Sequence, residues 1–291
     1  MHTRPVLVAK TTLSLEEVGE VQALAALCNQ REGLDLKLAF PLDQSTEPSA
    51  FLCYADGRLV GYSALDGDEV CGMVHPDSRR RGIGRKLLTA ALEEAGRRHH
   101  PQLLLICEAN SSSGQGFVAA QNGQHAFGEY RMILETLRET PPNDLPIQLQ
   151  EAGPEDVELL TEILAESFGD PVEMAHENVV ESMALHNEQF YLALSDGAPV
   201  GTLKVVYEPP RAGIYGFGVL RTHQGRGIGR QILFQMCQRL LAQGHQPISL
   251  EVETDNNRAI SVYRACGFRE TTVYNYYWVS ENQSSSRETS C

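Results

Sequence analysis

The sequence lacks any apolar run long enough to cross a bilayer as a helix. Its first residues, "MHTRPVLVAKTTLSLEE", lack the apolar core of a secretory leader. Both absences point to a cytoplasmic protein with no membrane contact. There is no C-x-x-C and no H-E-x-x-H, so no zinc site or other metal is expected. The seven cysteines are an odd number, and Cys53, Cys71, Cys107 and Cys237 stand inside apolar runs. Free thiols so placed pack as small hydrophobes, which argues against a disulfide framework. Basic residues are scarce, 24 Lys and Arg against 38 Asp and Glu, for a net charge of −14. That balance disfavours nucleic acid, whose binding depends on neutralising phosphates. It mildly favours a cationic partner such as an amine, although the same acidity also serves solubility. Aromatics are few at 7%, yet 42% of the 291 residues are hydrophobic, enough for the cores of two domains.

What the sequence does contain is a repeat. "RRRGIGRKLL" from Arg79 to Leu88 returns as "QGRGIGRQIL" from Gln224 to Leu233, an offset of 145 residues between Gly82 and Gly227. The offset holds along the segment that follows. Ile83, Leu87, Leu88, Ala91, Leu92 and Ala95 match Ile228, Ile232, Leu233, Met236, Cys237 and Leu240, in each case one apolar stripe of a helix. Upstream, "FLCYADGRLVGYSAL" and "FYLALSDGAPVGTLKVV" each read as two strands turning at Asp-Gly. A third strand, "DEVCGMV" or "IYGFGVL", runs into each glycine loop, and "LLLICEAN" or "ISLEVETDN" comes after the helix. A further helix and a terminal hairpin are expected to close each copy. The fold class is therefore α/β: two tandem domains, each a mixed, mostly antiparallel sheet with flanking helices. We place them at residues 1–138 and 147–280, joined by a linker at 139–146 with three prolines ("ETPPNDLP") and followed by a disordered polar tail at 281–291.

A strand, a tight glycine turn and a helix N-terminus bring backbone N–H groups and the positive end of the helix dipole to one point, which suits a phosphate or pyrophosphate. The dinucleotide fingerprint is excluded because Leu87 and Ile232 stand where its third glycine belongs, and neither copy has the G-K-[ST] of a P-loop. A glycine turn without a ligand is the plain alternative. Repetition of the motif at a helix start weighs against it.

Arg79-x-x-Gly82-x-Gly84 and Gln224-x-x-Gly227-x-Gly229 resemble the [QR]-x-x-G-x-[GA] acyl-CoA loop of the GNAT N-acetyltransferases, and "DNNRAISVYRACGF" resembles that family's N-x-x-A-x-x-x-Y-x-x-x-G-F block. The likeness covers almost the whole chain, and its tandem arrangement is similar to that of the mycothiol synthases. It implies an acetyl-CoA-dependent N-acetyltransferase acting on a small-molecule or peptide amine, as a monomer or homodimer. By this resemblance acetyl-CoA is held by Gln224, Gly225, Arg226, Gly227, Ile228, Gly229, Arg230 and Asn256, with the pantetheine arm along Phe217 to Val219. The matching set in the first copy is Val74, Arg79, Arg80, Arg81, Gly82, Ile83, Gly84 and Arg85. Tyr263, seven residues after Asn256, takes the family's general-acid position. Glu251, in "LEVETDN", resembles the glutamate base of the ribosomal-protein N-terminal acetyltransferases. A merely polar strand face at Glu251, and Tyr215 or water as the base, remain alternatives.

In the first copy the acid position is Phe117 and the base position Leu105, neither able to move a proton, while Glu69 and Glu108 fall off the expected positions. The first copy reads as a degenerate domain that holds CoA without turning it over. Catalysis falls to the second. A protein that only binds acyl-CoA is the competing reading. The acceptor is expected near "FGDPVEMAHENVV"; the aromatic run "VYNYYWV" (Val273 to Val279) is a candidate lining for its pocket, but the favoured reading of most of these aromatics is that they simply suit a β-strand.

Overall fold

The computed structural model describes residues 4–41, 46–138 and 146–280. Most of the expected linker, and the whole tail, lie outside the described residues. In chain order the elements are β1 (Val6–Lys10), α1 (Leu15–Glu32), β2 (Ala50–Ala55), β3 (Arg58–Asp66), β4 (Glu69–Val74), α2 (Ile83–Arg97), β5 (Gln102–Glu108), α3 (Ser112–Ala120) and β6 (Gln124–Leu134). They continue with β7 (Ile147–Glu151), α4 (Val157–Phe168), α5 (Val172–Met183), β8 (Glu188–Ser195), β9 (Ala198–Glu208), β10 (Arg211–Val219), α6 (Ile228–Ala242), β11 (Ile248–Glu253), α7 (Asn257–Cys266) and β12 (Phe268–Ser280).

Two compact units result. Unit 1 holds the described residues up to Glu129 together with Thr272–Ser280, and unit 2 runs from Tyr130 to Thr271. In unit 1 the strands lie in the order β1-β2-β3-β4-β5, with the last part of β12 antiparallel to β5 from Tyr274 opposite Glu108 to Ser280 opposite Gln102. In unit 2 the order is β7-β8-β9-β10-β11, with residues 130–134 of β6 beyond β11.

Both expected hairpins form, and for the expected reason. Asp56-Gly57 and Asp196-Gly197 all have positive φ, between 49° and 79°, the two-residue turn that matches strand twist. The apolar stripes of α2 and α6 are buried at the twelve residues named above. They lie in separate cores, that of unit 1 closed by Val60 and Leu103, that of unit 2 by Leu203 and Leu250. All six cysteines among the described residues are buried and free.

The structure corrects the terminal hairpins. Each copy ends in one long strand, of 11 residues in β6 and 13 in β12, and β12 has no Gly or Pro at which to turn. Within unit 2, Tyr130, Met132, Leu134 and Phe268 join the main core. Within unit 1, Val279 and Tyr277 pack against the α2 core, and Phe127 stacks on Tyr276 at 4.3 Å. The copies differ in a second way: unit 2 has two helices before its first hairpin, whereas unit 1 has α1 and then a non-helical stretch from Leu34.

One half-buried acid tests the packing of unit 1. Burial pushes the Glu69 carboxyl up to about 7, with Lys37 opposing and Glu129, Asp66 and Asp68 reinforcing the shift. Between an ordinary value of 4.5 and 7 the folded chain therefore holds a proton that the unfolded chain has lost. Stability falls as pH rises through that window, and the loss is complete above it. Glu69→Gln should raise the melting temperature at pH 8 by roughly 2–6 °C, a gain that vanishes near pH 4. Thermal melts of both proteins across that range check this, and a gain independent of pH would contradict it.

Candidate active site

The site in unit 2 begins where two parallel strands separate. β10 pairs with β11 only from Ala212 to Ile214, opposite Ile248 to Leu250. Just past that point the register of β10 against β9 shifts between Tyr215 and Gly218, a bulge with Gly216 at φ +52°. Gly218 is required by close approach: a Cβ there would lie 2.5 Å from Ser167 Oγ, in the last turn of α4. That turn is fastened to the strand end by the Arg221 N–H, which donates to Glu166 Oε1 at 2.9 Å. Phe217 and Val219, on the bulge, are partly buried against the main core.

Beyond the strand, Gly225 and Gly227 take φ of +77°, and α6 starts at Gly227 with no side-chain cap. Its first intrahelical bond runs from the Gln231 N–H to Gly227 O, so the preceding turn presents its N–H groups outward. A Cβ at Gly225 or Gly227 would meet no protein atom within 4 Å, so the concave side of the loop is open to a guest. Unit 1 repeats the arrangement with Arg80 at φ +61°, Gly82 at φ +79° and α2 behind them. Arg80, Arg81 and Arg85 are exposed around it. The first residue of each motif turns inward. Gln224 Nε2 donates to Val219 O at 2.7 Å, and Arg79 Nε donates to Val74 O at 3.1 Å. Each is a strut that ties the loop to the end of its strand.

Asn256 caps α7, its Oδ1 accepting from the Ala259 N–H at 3.1 Å. Nearly two turns later Tyr263 is 8% exposed, its ring centroid 6.3 Å from that of Phe217, a bulge residue. Burial pushes the Tyr263 hydroxyl up to about 12, so it keeps its proton throughout the neutral range. On β11, Ile248, Leu250 and Val252 enter the core that also contains Tyr263, and Glu251 alternates onto the opposite face. Its carboxylate lies 3.9 Å from Arg131 Nε. Arg131 comes from β6, 120 positions earlier, and no sequence signal pointed to it. Tyr215 shares the face of Glu251, but its ring folds back over Gly213, where a Cβ would stand 2.5 Å from it.

Unit 1 lacks most of this. β3 and β4 pair without a register shift from Gly61–Val74 to Asp66–Glu69, so there is no bulge. The Phe117 ring sits against Gly84, and Leu105 is buried in the core. The α1 face is covered by the stretch after Gly33. There the Asp35 N–H donates to Glu108 Oε2 at 2.7 Å, the Tyr274 hydroxyl to Asp35 O at 2.5 Å, and the Tyr62 hydroxyl to Ala39 O at 2.7 Å. Glu32, at the end of α1, pairs with Arg79 and accepts from Ser113 Oγ at 2.8 Å. Burial pushes the Glu32 carboxyl up, but the bonds from Ser113 and Arg79 outweigh it and leave the carboxyl below its usual range. Behind the loop of unit 1 lies a cavity of about 480 Å³. The described residues contain no helix long and apolar enough to cross a membrane and no cluster suited to a metal ion.

Comparison with known proteins agrees with this geometry. The acetyltransferase (GNAT) family pattern matches residues 157–268, and an acetyltransferase (GNAT) domain pattern matches residues 47–122. The mycothiol acetyltransferase of Streptomyces griseus is 30% identical over 237 residues, 75% of this chain and 76% of that one. That of Kytococcus sedentarius is 28% identical over 239 residues, 76% and 79% of the two chains. Among solved structures, a tandem GNAT protein from the clavulanic acid biosynthesis pathway superposes with a TM-score of 0.70 over 95% of this chain and 98% of that one, at 19% identity. A GCN5-related N-acetyltransferase from Sphaerobacter thermophilus gives 0.69 over 95% of each, also at 19%. The chain belongs to the GNAT acetyltransferase family and is an enzyme of the tandem kind, with two GNAT domains. Both of these relatives carry the name mycothiol acetyltransferase.

Proposed function

We propose that this protein moves the acetyl group of acetyl-CoA to a primary amine, that unit 2 carries the chemistry, and that unit 1 holds CoA without turning it over. One observation carries the reading. Of the two strands that lead into the glycine loops, β10 has a bulge beside Tyr263, whereas β4 runs straight past Phe117. The pyrophosphate rests on the N–H groups from Gly225 to Arg230, and the pantetheine arm lies in the parting of β10 and β11. The main-chain N–H of Val219 donates to the acetyl oxygen as negative charge builds there. Glu251, on the other face of the sheet, takes a proton from the incoming ammonium, directly or through water. The neutral nitrogen attacks the thioester carbon. The C–S bond then breaks, the Tyr263 hydroxyl donates to the departing thiolate, and the second proton shed by the attacking nitrogen restores the tyrosine through solvent.

The acceptor enters past the turn between α4 and α5, where Phe168, Val172 and Met174 are exposed. The relatives named mycothiol acetyltransferase favour a small-molecule amine over a protein N-terminus. Release of CoA thiol, followed over a panel of amines and peptides, tests the reading. No release with any amine would make the protein an acyl-CoA binder instead. Glu251→Gln should depress activity most at low pH, where free amine is scarcest. A pH–rate profile identical to the parent's would move the role of base to Tyr215 or to water.

A further inference from the structure

The cavity of unit 1 continues past any place an acetyl group needs. At one end it is lined by Gly82, Gly84 and Arg85 of the loop; at the other it reaches Leu34, Leu36 and Tyr62. The far end lies on the α1 face, since Leu36 and Tyr62 belong to the core packed under α1 and Ile83 and Leu87 to the core under α2. The cavity passes between the two faces where β4 and β5 part, for these strands pair only at Glu69–Leu104 and Val70–Leu105. In unit 2 that face is where an acceptor amine is expected. In unit 1 the stretch from Leu34 to Ala39 crosses it, held by Glu108, Tyr274, Tyr62 and the Asn29 side chain.

What lines the far end is apolar: Leu34, Leu36, Tyr62, Met73 and the thiols of Cys28 and Cys71. Glu108, the one carboxylate lining the cavity, is buried and already engaged by the Asp35 N–H of the covering stretch. The wall also carries an unused polar group. Ser63 is 3% exposed, lines the cavity, and its Oγ has no hydrogen-bond partner. A buried hydroxyl without a partner is costly unless a ligand completes it.

We infer that unit 1 is a binding site for acyl-CoA thioesters carrying a chain longer than acetyl, with the chain in the Leu34–Leu36–Tyr62 end and Ser63 Oγ donating to the thioester or arm. This rests on the reading of the Arg79–Arg85 loop as a CoA loop and adds the class of acyl group. The ligand is held and not transferred, because Phe117 and Leu105 supply neither acid nor base. Each methylene taken from water into such a pocket is worth about fourfold in affinity. Hexanoyl-CoA, four methylenes longer than acetyl-CoA, should therefore bind roughly ten- to a hundredfold more tightly.

The experiment is calorimetry on the full chain carrying Gly227→Val, which confines binding to unit 1, with acetyl-CoA and hexanoyl-CoA as titrants. Both should bind, hexanoyl-CoA more tightly. Adding Leu36→Asp, a change in the covering stretch away from the loop, should abolish the hexanoyl advantage and leave acetyl-CoA within a fewfold. Equal affinities for the two thioesters would overturn the inference while leaving the CoA reading intact. No binding of either would overturn both. An advantage that survives Leu36→Asp would also overturn it. Should Gly227→Val not fold, native mass spectrometry of the parent chain with both thioesters present decides the matter: one hexanoyl-CoA retained per chain beside one acetyl-CoA supports the inference, and indiscriminate occupancy refutes it.

Discussion

Tyr263→Phe is expected to lower turnover by roughly one to three orders of magnitude with little change in acetyl-CoA affinity, the loss expected when a general acid is removed. The substitution is a clean one because the ring stays. Tyr263 packs within 6.3 Å of both Phe217 and Phe268, and a phenylalanine keeps those contacts while losing only the hydroxyl. The hydroxyl is a donor at every pH of interest, since burial holds it at about 12. Steady-state kinetics with a calorimetric check of acetyl-CoA binding reads the effect, and unchanged turnover would remove Tyr263 from the mechanism.

Gly227→Val is expected to abolish activity, and Gly82→Val to cost far less. Both glycines sit at φ near +78°, and a side chain at either would meet no protein atom within 4 Å. A valine there is therefore strained in its backbone, by about 1–2 kcal/mol, but does not collide with the fold. What it does fill is the open concave side of the loop, which the proposed function assigns to the phosphates. On that proposal the change in unit 2 removes the substrate of the reaction. In unit 1 it removes a binding site from a domain whose acid and base positions are Phe117 and Leu105. Calorimetry should find up to two acetyl-CoA sites in the parent and one fewer in each variant, with thermal melts to confirm folding. A dead Gly82→Val beside an active Gly227→Val would reverse the assignment of roles.

Much of this was legible in the sequence because it is local. The Asp-Gly turns, the stripes of α2 and α6 and the glycine turns ahead of those helices all follow from short-range rules of backbone and pattern, and each is found where expected. What escaped is long-range. Arg131 reaches Glu251 because of a strand pairing that no local pattern encodes. The bulge in β10 and its absence from β4 amount to one residue of length between two strands otherwise alike, invisible until the partner strand sets the register. The stretch over the α1 face did leave a trace, the alternation of Leu34, Leu36 and Leu38, but alternation alone does not say which surface it will cover.

The closing strand of unit 1 has a consequence for how the protein is made. β5 is complete once residue 108 has been synthesised, yet the strand that pairs with it, Thr272–Ser280, is among the last of the described chain to leave the ribosome. At a synthesis rate of about 5–20 residues per second, that edge waits on the order of ten to thirty seconds with its N–H and C=O groups unpaired. A chain halted after residue 138 therefore carries an open sheet edge lined by Leu103 and Leu105, a template for pairing with any neighbouring nascent chain. The gene cannot be divided at its internal repeat into two self-sufficient halves, and synthesis of the first half is safe only when the second follows promptly.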